Sequence, residues 1–270
     1  MNNTIPKIIH HIGPDDKNQW HPLWEPCYLS WKEHFFDFEF VMWSDNEDTL
    51  GDFVEQYFPE YSRLYCDIPL HICKIDFFKY CLMYVHGGMF VDLDIFCYNN
   101  FFDELDNQVH LLQSTLYTAT NEVAQNSMMI GVPNHKFFKA CVDTSYKRLR
   151  SIDSASLIKS DLNNSVPINF TLVTTCTGPG LLSDVYSDYD KTEISLLNYK
   201  QFNNHHLSYN DDYRTKHMLT GRWGNNLYKF LEKERQEFFS NLTWKEYESV
   251  VYKKFRSIDV NNFDFRKNYI

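Results

Sequence analysis

The chain has 270 residues, 43% of them hydrophobic and 17% aromatic, which is ample for a packed core of one large or two small domains and rules out a disordered chain. Its formal net charge of -10 argues against a nucleic-acid or anionic-membrane partner, because phosphate backbones are held by clustered Lys and Arg. Seven cysteines, odd in number and without a Cys-x-x-Cys, indicate neither a disulfide framework nor a zinc cage and read as small buried hydrophobes.

Pro6 to Ile12 reads as a first strand, ended by the turn dipeptide Gly13-Pro14. Leu23 to Phe36 carries Trp24, Tyr28 and Trp31 in a helical pattern, and Phe38 to Trp43 is a second strand. The opening is therefore strand, helix, strand, the unit of a parallel sheet. Ser44-Asp-Asn-Glu47 has the form of a capping box for a helix to about Tyr57. Apolar residues at Ile68, Ile72, Ile75, Phe78, Leu82 and Val85 predict a second helix, with Pro69 in its first turn and Gly87-Gly88 stopping it. Met89-Phe90-Val91 is short, apolar and extended. Further strands are expected at Val109 to Leu112, Ser127 to Val132 and Leu172 to Cys176, with helices at His135 to Lys147 and Pro179 to Tyr186. Leu227 to Phe255 is charged and periodic, the pattern of two outer helices before a ragged tail to Ile270.

The stretch from Ile75 to Asp94 is the most informative. Asp76, Lys79 and Tyr80 share one helical face. After the glycines, Asp92 and Asp94 stand two residues apart and are expected to project to the same side while Leu93 turns toward the core. Two hard oxygen ligands at a strand end suit Mg²⁺ or Mn²⁺, ions that keep positions open for phosphate oxygens of a diphosphate. The chain supplies its own control in Asp188-Tyr-Asp190, which has the same spacing inside a polar turn. What distinguishes Asp92 and Asp94 is their apolar flank, where carboxylates are costly to hold without a cation or hydrogen bonds.

Other positions leave alternatives open. His10-His11 end the first strand's apolar run, at the edge where α/β folds bind ligands, or they are an edge pair of strand histidines. Thr174 to Gly180 opens a helix with small residues that let a ligand approach the backbone, or it is an ordinary turn and cap. Asn204-His-His206 and His217 make no His-x-x-x-His pair. No Gly-x-Gly-x-x-Gly, Gly-Lys-Ser/Thr or Gly-x-Ser-x-Gly is present, which removes dinucleotide enzymes, phosphate-loop nucleotidases and serine hydrolases. A glycosidase remains the rival, since its two carboxyl groups sit roughly 5 to 9.5 Å apart and residues i and i+2 of a strand fall near that range. A non-catalytic sugar-binding module is the third reading.

The residues together resemble a known family. Ile5-Pro-Lys-Ile-Ile-His-His-Ile-Gly13, Phe40-Val-Met-Trp-Ser-Asp45, the Asp76 to Asp94 block, Asn126-Ser-Met-Met, Thr177-Gly-Pro-Gly180 and His217 through Gly221-Arg-Trp223 are similar, in order, to glycosyltransferase family 32. These are the DXD-motif sugar transferases that include yeast initiating mannosyltransferases and bacterial capsule enzymes, and the large clostridial glucosylating toxins are more distant kin. Lys79 stands where the family usually has Arg, and Gly13 where many members have Trp.

The resemblance implies an α/β GT-A fold, a Rossmann-like mixed sheet flanked by helices, as one domain over 1–225 with a C-terminal helical extension at 226–270. It implies a metal-dependent retaining hexosyltransferase of glycan or polysaccharide biosynthesis. The cofactor would be Mn²⁺ or Mg²⁺, and the partners a nucleotide-sugar donor (a UDP-sugar before GDP-mannose) and a hydroxyl acceptor. Asp92, Asp94 and His217 would hold the metal, with Asp76, Lys79 and Asp94 as the catalytic set. His10, His11, Ile12, Asp76, Lys79, Gly88, Phe90, Leu93, Gly178 and Trp223 would bind the donor, Trp223 closing over it. The N-terminus, Met-Asn-Asn-Thr-Ile-Pro-Lys, has no charged-then-apolar leader, and no apolar run approaches the roughly 20 residues of a membrane span. The expectation is a cytoplasmic protein without a transmembrane segment.

Overall fold

Strand β1 (Ile8–Gly13) and strand β2 (Glu39–Ser44) pair in parallel from Ile8↔Glu39 to Gly13↔Ser44, joined by helix α1 (Trp24–His34). These and the elements that follow come from a computed structural model, which describes residues 4–106, 108–114, 123–152, 170–202 and 213–218. The expected C-terminal helices within 226–270 lie outside the described residues, as do Asn204-His-His206 and Trp223.

Helix α2 (Glu47–Tyr57) begins where expected, but its cap differs from the expected box. Asn46 accepts from the Asp48 amide at 2.8 Å, while Ser44 is the last residue of β2 and its hydroxyl accepts from the Asn46 amide at 3.2 Å. Glu47 does not reach back to the cap because Lys74 holds its carboxylate at 2.6 Å. Helix α3 (Pro59–Asp67) was not anticipated, although Pro59 at its first position is a standard start, where the missing N–H is no loss. It ends at Ile68, which is extended as the residue before Pro69 must be. The long helix α4 (His71–His86) therefore starts at His71 and not at Ile68. From Cys73 to Met83 nearly every residue of α4 is buried, Lys74, Asp76 and Lys79 included, so three charged side chains sit on a helix that is otherwise core.

Gly87 stops α4 with φ 62, and its amide still reaches the Met83 carbonyl at 3.1 Å. A Cβ there would stand 2.5 Å from Pro133 N and 2.7 Å from Gly131 O. The chain drops directly into strand β3 (Gly88–Val91), fully buried between parallel β1 and antiparallel β6 (Ala124–Gly131). With β5 (Val109–Gln113) and β7 (Ile194–Leu197) the sheet order is β2-β1-β3-β6-β5-β7, and β6 alone among these six runs against the rest. This is the expected mixed sheet.

Two cores cover its faces. Ile9, Trp31, Phe35, Phe38, Met89 and Val91 cluster on the α1 side. Phe77, Phe78, Tyr80, Phe90, Met129 and Leu181 cluster on the other, under α2 to α4, α5 (Lys136–Ser151), α6 (Phe170–Cys176) and α7 (Pro179–Asp188). Helix α6 corrects the strand expected at Leu172 to Cys176. Val173 and Cys176, three apart, are both buried against the core, and that helical burial prevails over the β-propensity of Val173-Thr174-Thr175.

Beyond β3 the chain leaves the main sheet as β4 (Ile95–Cys97) and pairs with β8 (Thr215–His217) in a separate two-stranded ribbon. The route runs outward from β1 to β2 and returns to β3 on the opposite side of β1. The carboxyl ends of β1 and β3 thus open side by side, where crevices of α/β sheets form.

Candidate active site

The last rung of β3 is the Asp92 amide donating to the Ser127 carbonyl at 2.8 Å, and the backbone then turns, with Ile95 N reaching Asp92 O at 3.1 Å. Leu93 is buried, as expected. Asp94 lies in the turn itself and not on a continuing strand, so simple alternation does not set the two carboxylates. Each is met by a basic side chain from a different element. Lys79 Nζ of α4 lies 3.0 Å from Asp92 Oδ1, and His217 Nε2 of β8 lies 3.2 Å from Asp94 Oδ1. The ribbon delivers His217, since Ile95 pairs with it and Met218 N donates to Asp94 O at 2.8 Å.

Asp76, Lys79 and Tyr80 share the inward face of α4, as their spacing requires. Lys79 Nζ sits between Asp92 and Asp76, 3.4 Å from Asp76 Oδ1, and 5.0 Å from the Phe90 ring centroid. Asn126 Nδ2 of β6 donates to Asp76 Oδ1 at 2.9 Å, and Thr177 Oγ1 donates to Asp76 Oδ2 at 3.4 Å or to Val173 O at 3.3 Å. Tyr80 donates its hydroxyl to Thr177 O at 2.7 Å and toward Gly178 O at 3.3 Å, tying the junction of α6 and α7 to α4.

Burial pushes the Asp76 carboxyl up to about 6, Lys79 pulling the other way and Asp92 adding to the rise. Asp92 is raised too, first by burial, with Lys79 opposing and Asp94 adding. It still keeps 30% of its side chain accessible, so it is the open member of the set. For Lys79, burial works against the charge, but Asp92 and Asp76 outweigh it and the ammonium is held above its ordinary value. His217 follows the same pattern, burial opposed and outweighed by Asp94. The site is two acid–base groupings side by side, Lys79 between Asp76 and Asp92, and His217 against Asp94.

The remaining expected residues fall less closely together. His10 uses both ring nitrogens inside the protein, Nε2 donating to Gly87 O at 3.1 Å and Nδ1 accepting from Trp43 Nε1 at 3.2 Å. No ring nitrogen of His10 is left for a base. His11 Nδ1 donates to Val91 O at 2.8 Å, its ring stacks on Phe40 and meets the edge of Tyr28, and its buried Nε2 has no hydrogen-bond partner. Ile12 is half-buried against the α4-side core. Gly88 opens β3 while Asp92 follows its other end, and its need is local: at φ 83 a Cβ would stand 2.7 Å from Ile8 O. Phe90 floors the Lys79 site and Gly178 caps α7 beside Thr177. Trp223 lies outside the described residues. The control pair behaves as a polar turn: Asp188 ends α7, and Asp190 caps a short 3-10 turn by accepting from the Thr192 amide at 3.0 Å.

Asn126 and Thr177 are the functional candidates to which the sequence assigned no role. Only the recurrence of their short motifs marked them. Among the described residues no group of three or more His, Cys, Asp or Glu converges to cage an ion. No described helix is long and apolar enough to cross a membrane.

Comparison with known proteins points to sugar transferases. Residues 22–113 match the family described as glycosyltransferase sugar-binding region containing DXD motif. The chain is 28% identical over 221 residues to the uncharacterized glycosyltransferase L373 of Acanthamoeba polyphaga mimivirus, covering 77% of this chain and 76% of that protein. It is 27% identical over 125 residues to inositol phosphoceramide mannosyltransferase 3 of Schizosaccharomyces pombe, covering 46% of this chain but only 33% of the yeast protein. Among solved structures, the UDP-bound glycosyltransferase domain from the YGT toxin superimposes with a TM-score of 0.54 at 10% identity, over 73% of this chain and 80% of that one, a likeness of fold.

Proposed function

We propose that this chain, a glycosyltransferase whose residues 22–113 belong to the DXD-containing sugar-binding regions, moves a hexose from a nucleoside-diphosphate donor to a hydroxyl acceptor with retention, a divalent cation assisting. One observation carries this reading: Asp92 and Asp94 both belong to a single turn at the carboxyl edge of β3, beside the end of β1. The GT-A domain would span 1–225.

The donor set would make a partial shell that substrate oxygens complete, since no three of the described side chains converge to cage an ion on their own. Asp94 Oδ1 and His217 Nε2 offer an oxygen and a nitrogen 3.2 Å apart, and Asp92 adds a second, more open carboxylate. That is one or two carboxylates plus an imidazole, the partial shell that leaves positions for phosphate oxygens. When bound, the cation would neutralise charge on the departing nucleoside diphosphate. The protein's own groups do the rest. Asp76, oriented by Asn126, accepts from sugar hydroxyls, Lys79 donates to a phosphate or sugar oxygen, and buried Phe90 and Leu93 wall the site against water.

The glycosidase alternative needs an open gap between its two carboxyl groups for the glycosidic oxygen. Its pair would be Asp92 and Asp94, and both are already engaged, Asp92 by Lys79 at 3.0 Å and Asp94 by His217 at 3.2 Å, which counts against it. The relatives leave the sugar open between two classes, since the yeast protein is named a mannosyltransferase and the toxin domain is UDP-bound. A panel of UDP- and GDP-sugars with Mn²⁺, scored by donor hydrolysis and thermal stabilisation, identifies the donor. Asp92→Asn with Asp94→Asn abolishes Mn²⁺-stimulated hydrolysis; undiminished hydrolysis in that variant sinks the proposal. Chelator-insensitive cleavage of a glycoside without nucleotide would instead establish the hydrolase.

A further inference from the structure

We propose that Lys79 is a resident counter-cation that keeps Asp92 from a divalent ion until a diphosphate draws the ammonium away, so that metal and donor are taken up together. The inference rests on the metal-dependent transferase reading above.

Lys79 Nζ is wedged between Asp92 Oδ1 at 3.0 Å and Asp76 Oδ1 at 3.4 Å, and it lies 5.0 Å from the centroid of the Phe90 ring beneath it. Lys79 and Asp76 are buried, whereas Asp92 faces the opening, so an incoming cation meets Asp92 first and finds Lys79 directly behind it. A positive charge at that distance in a site largely shut off from water repels a divalent ion far more than a surface lysine would. The ammonium also satisfies the oxygen an ion would need.

The exchange leaves no charge stranded. If Lys79 turns to a phosphate oxygen, Asp76 retains Asn126 at 2.9 Å and Thr177 at 3.4 Å. Asp92 trades one cation for another. A lysine suits this exchange, because its point charge on a flexible four-carbon stem can change partners without the planar alignment that a guanidinium fork demands. The diphosphate thus supplies a new partner for Lys79 in the same event that admits the metal.

The test uses Mn²⁺ alone, then Mn²⁺ with UDP or GDP, with free Mn²⁺ followed by electron paramagnetic resonance. Lys79→Met alone strands two buried carboxylates and could unfold the chain. The informative protein is the double variant Asp76→Asn, Lys79→Met, which removes one negative and one positive charge and so keeps the local net charge of wild type. With thermal unfolding confirming a folded chain, it should bind Mn²⁺ without nucleotide at least tenfold more tightly than wild type. The gain in Mn²⁺ affinity produced by nucleotide should shrink correspondingly. If Lys79 merely fastens α4 to β3, the variant melts at a lower temperature but binds Mn²⁺ no more tightly, and the inference is overturned. If neither protein binds Mn²⁺ even with UDP or GDP, the metal-dependent reading fails and takes this inference with it.

Discussion

Trp43 Nε1 donates to His10 Nδ1 at 3.2 Å across the β1–β2 pair, and the opposite nitrogen of His10 donates to Gly87 O at 3.1 Å, where α4 meets β3. A histidine that looks like a ligand at a strand end is instead a fastener of three elements. Both bonds require the neutral ring with its proton on Nε2. His11 is likewise held neutral by burial, its Nδ1 proton on Val91 O.

The first prediction is an acid limb of stability. Burial lowers both histidines from 6.5 to about 4, so each binds its proton more weakly in the folded chain than in the unfolded one. The stabilising contribution is complete above the unfolded value near 6.5 and is lost as pH falls toward 4, on the order of 3 kcal/mol for each histidine. Urea unfolding at pH 7 and at pH 4.5 should show this loss. Because His11 Nε2 has no partner to forfeit, His11→Phe should flatten the limb by about half; an acid limb of undiminished depth would refute the assignment.

Asp76 behaves in the opposite sense. Its folded value near 6 lies above the ordinary 3.8, so ionising it becomes a burden on the folded chain as pH rises through that window, and a ligand that uses the carboxylate recovers that free energy. Donor-dependent thermal stabilisation should therefore grow as pH rises through about 6. Asp76→Asn should weaken donor binding roughly 10- to 100-fold, the range for a hydrogen bond to a charged group, and abolish that pH dependence. A variant that keeps the wild-type pH profile would assign the profile to another group.

How far the sequence carried is clear from these residues. The block from Asp76 to Asp94 was legible because its periods are local: a helical face, a glycine stop, a short strand. So was the parallel pairing of β1 and β2, which a strand, helix, strand order nearly dictates. The partners that complete the site were less so: Asn126 and Thr177 arrive from elements whose register no local pattern encodes, and His217 was named only through the family resemblance. His10 misled because one exposed or buried strand position reads like another until Trp43 and Gly87 are in place. Leu172 to Cys176 misled because β-branched propensity is weaker than the burial of Val173 and Cys176 on one helical face.

Gly87 gives a prediction about stability alone. Its φ of 62 and the 2.5 Å approach of Pro133 N to a hypothetical Cβ combine backbone strain with a contact that no side-chain rotation relieves. Gly87→Ala should destabilise by about 3 kcal/mol or more in chemical unfolding. A loss below about 1 kcal/mol would mean that the α4–β3 corner relaxes freely.

Gly13 calls for a subtler measurement. A Cβ there would stand 2.5 Å from Leu93 Cδ1, but its backbone is unstrained and the obstacle is the tip of a flexible side chain. Gly13→Ala must therefore push Leu93, and Leu93 lies between Asp92 and Asp94. The loss of stability should be modest, about 1 kcal/mol, with a disproportionate loss of Mn²⁺-dependent donor hydrolysis because the aspartate turn is displaced. Leu93→Ala in the same chain removes the obstructing atoms and should restore part of the activity while lowering stability further, through the cavity it leaves. The coupling between the two substitutions is the decisive quantity. If their effects on hydrolysis simply add, Leu93 does not transmit the clash to the aspartates and the small residue at position 13 has another cause.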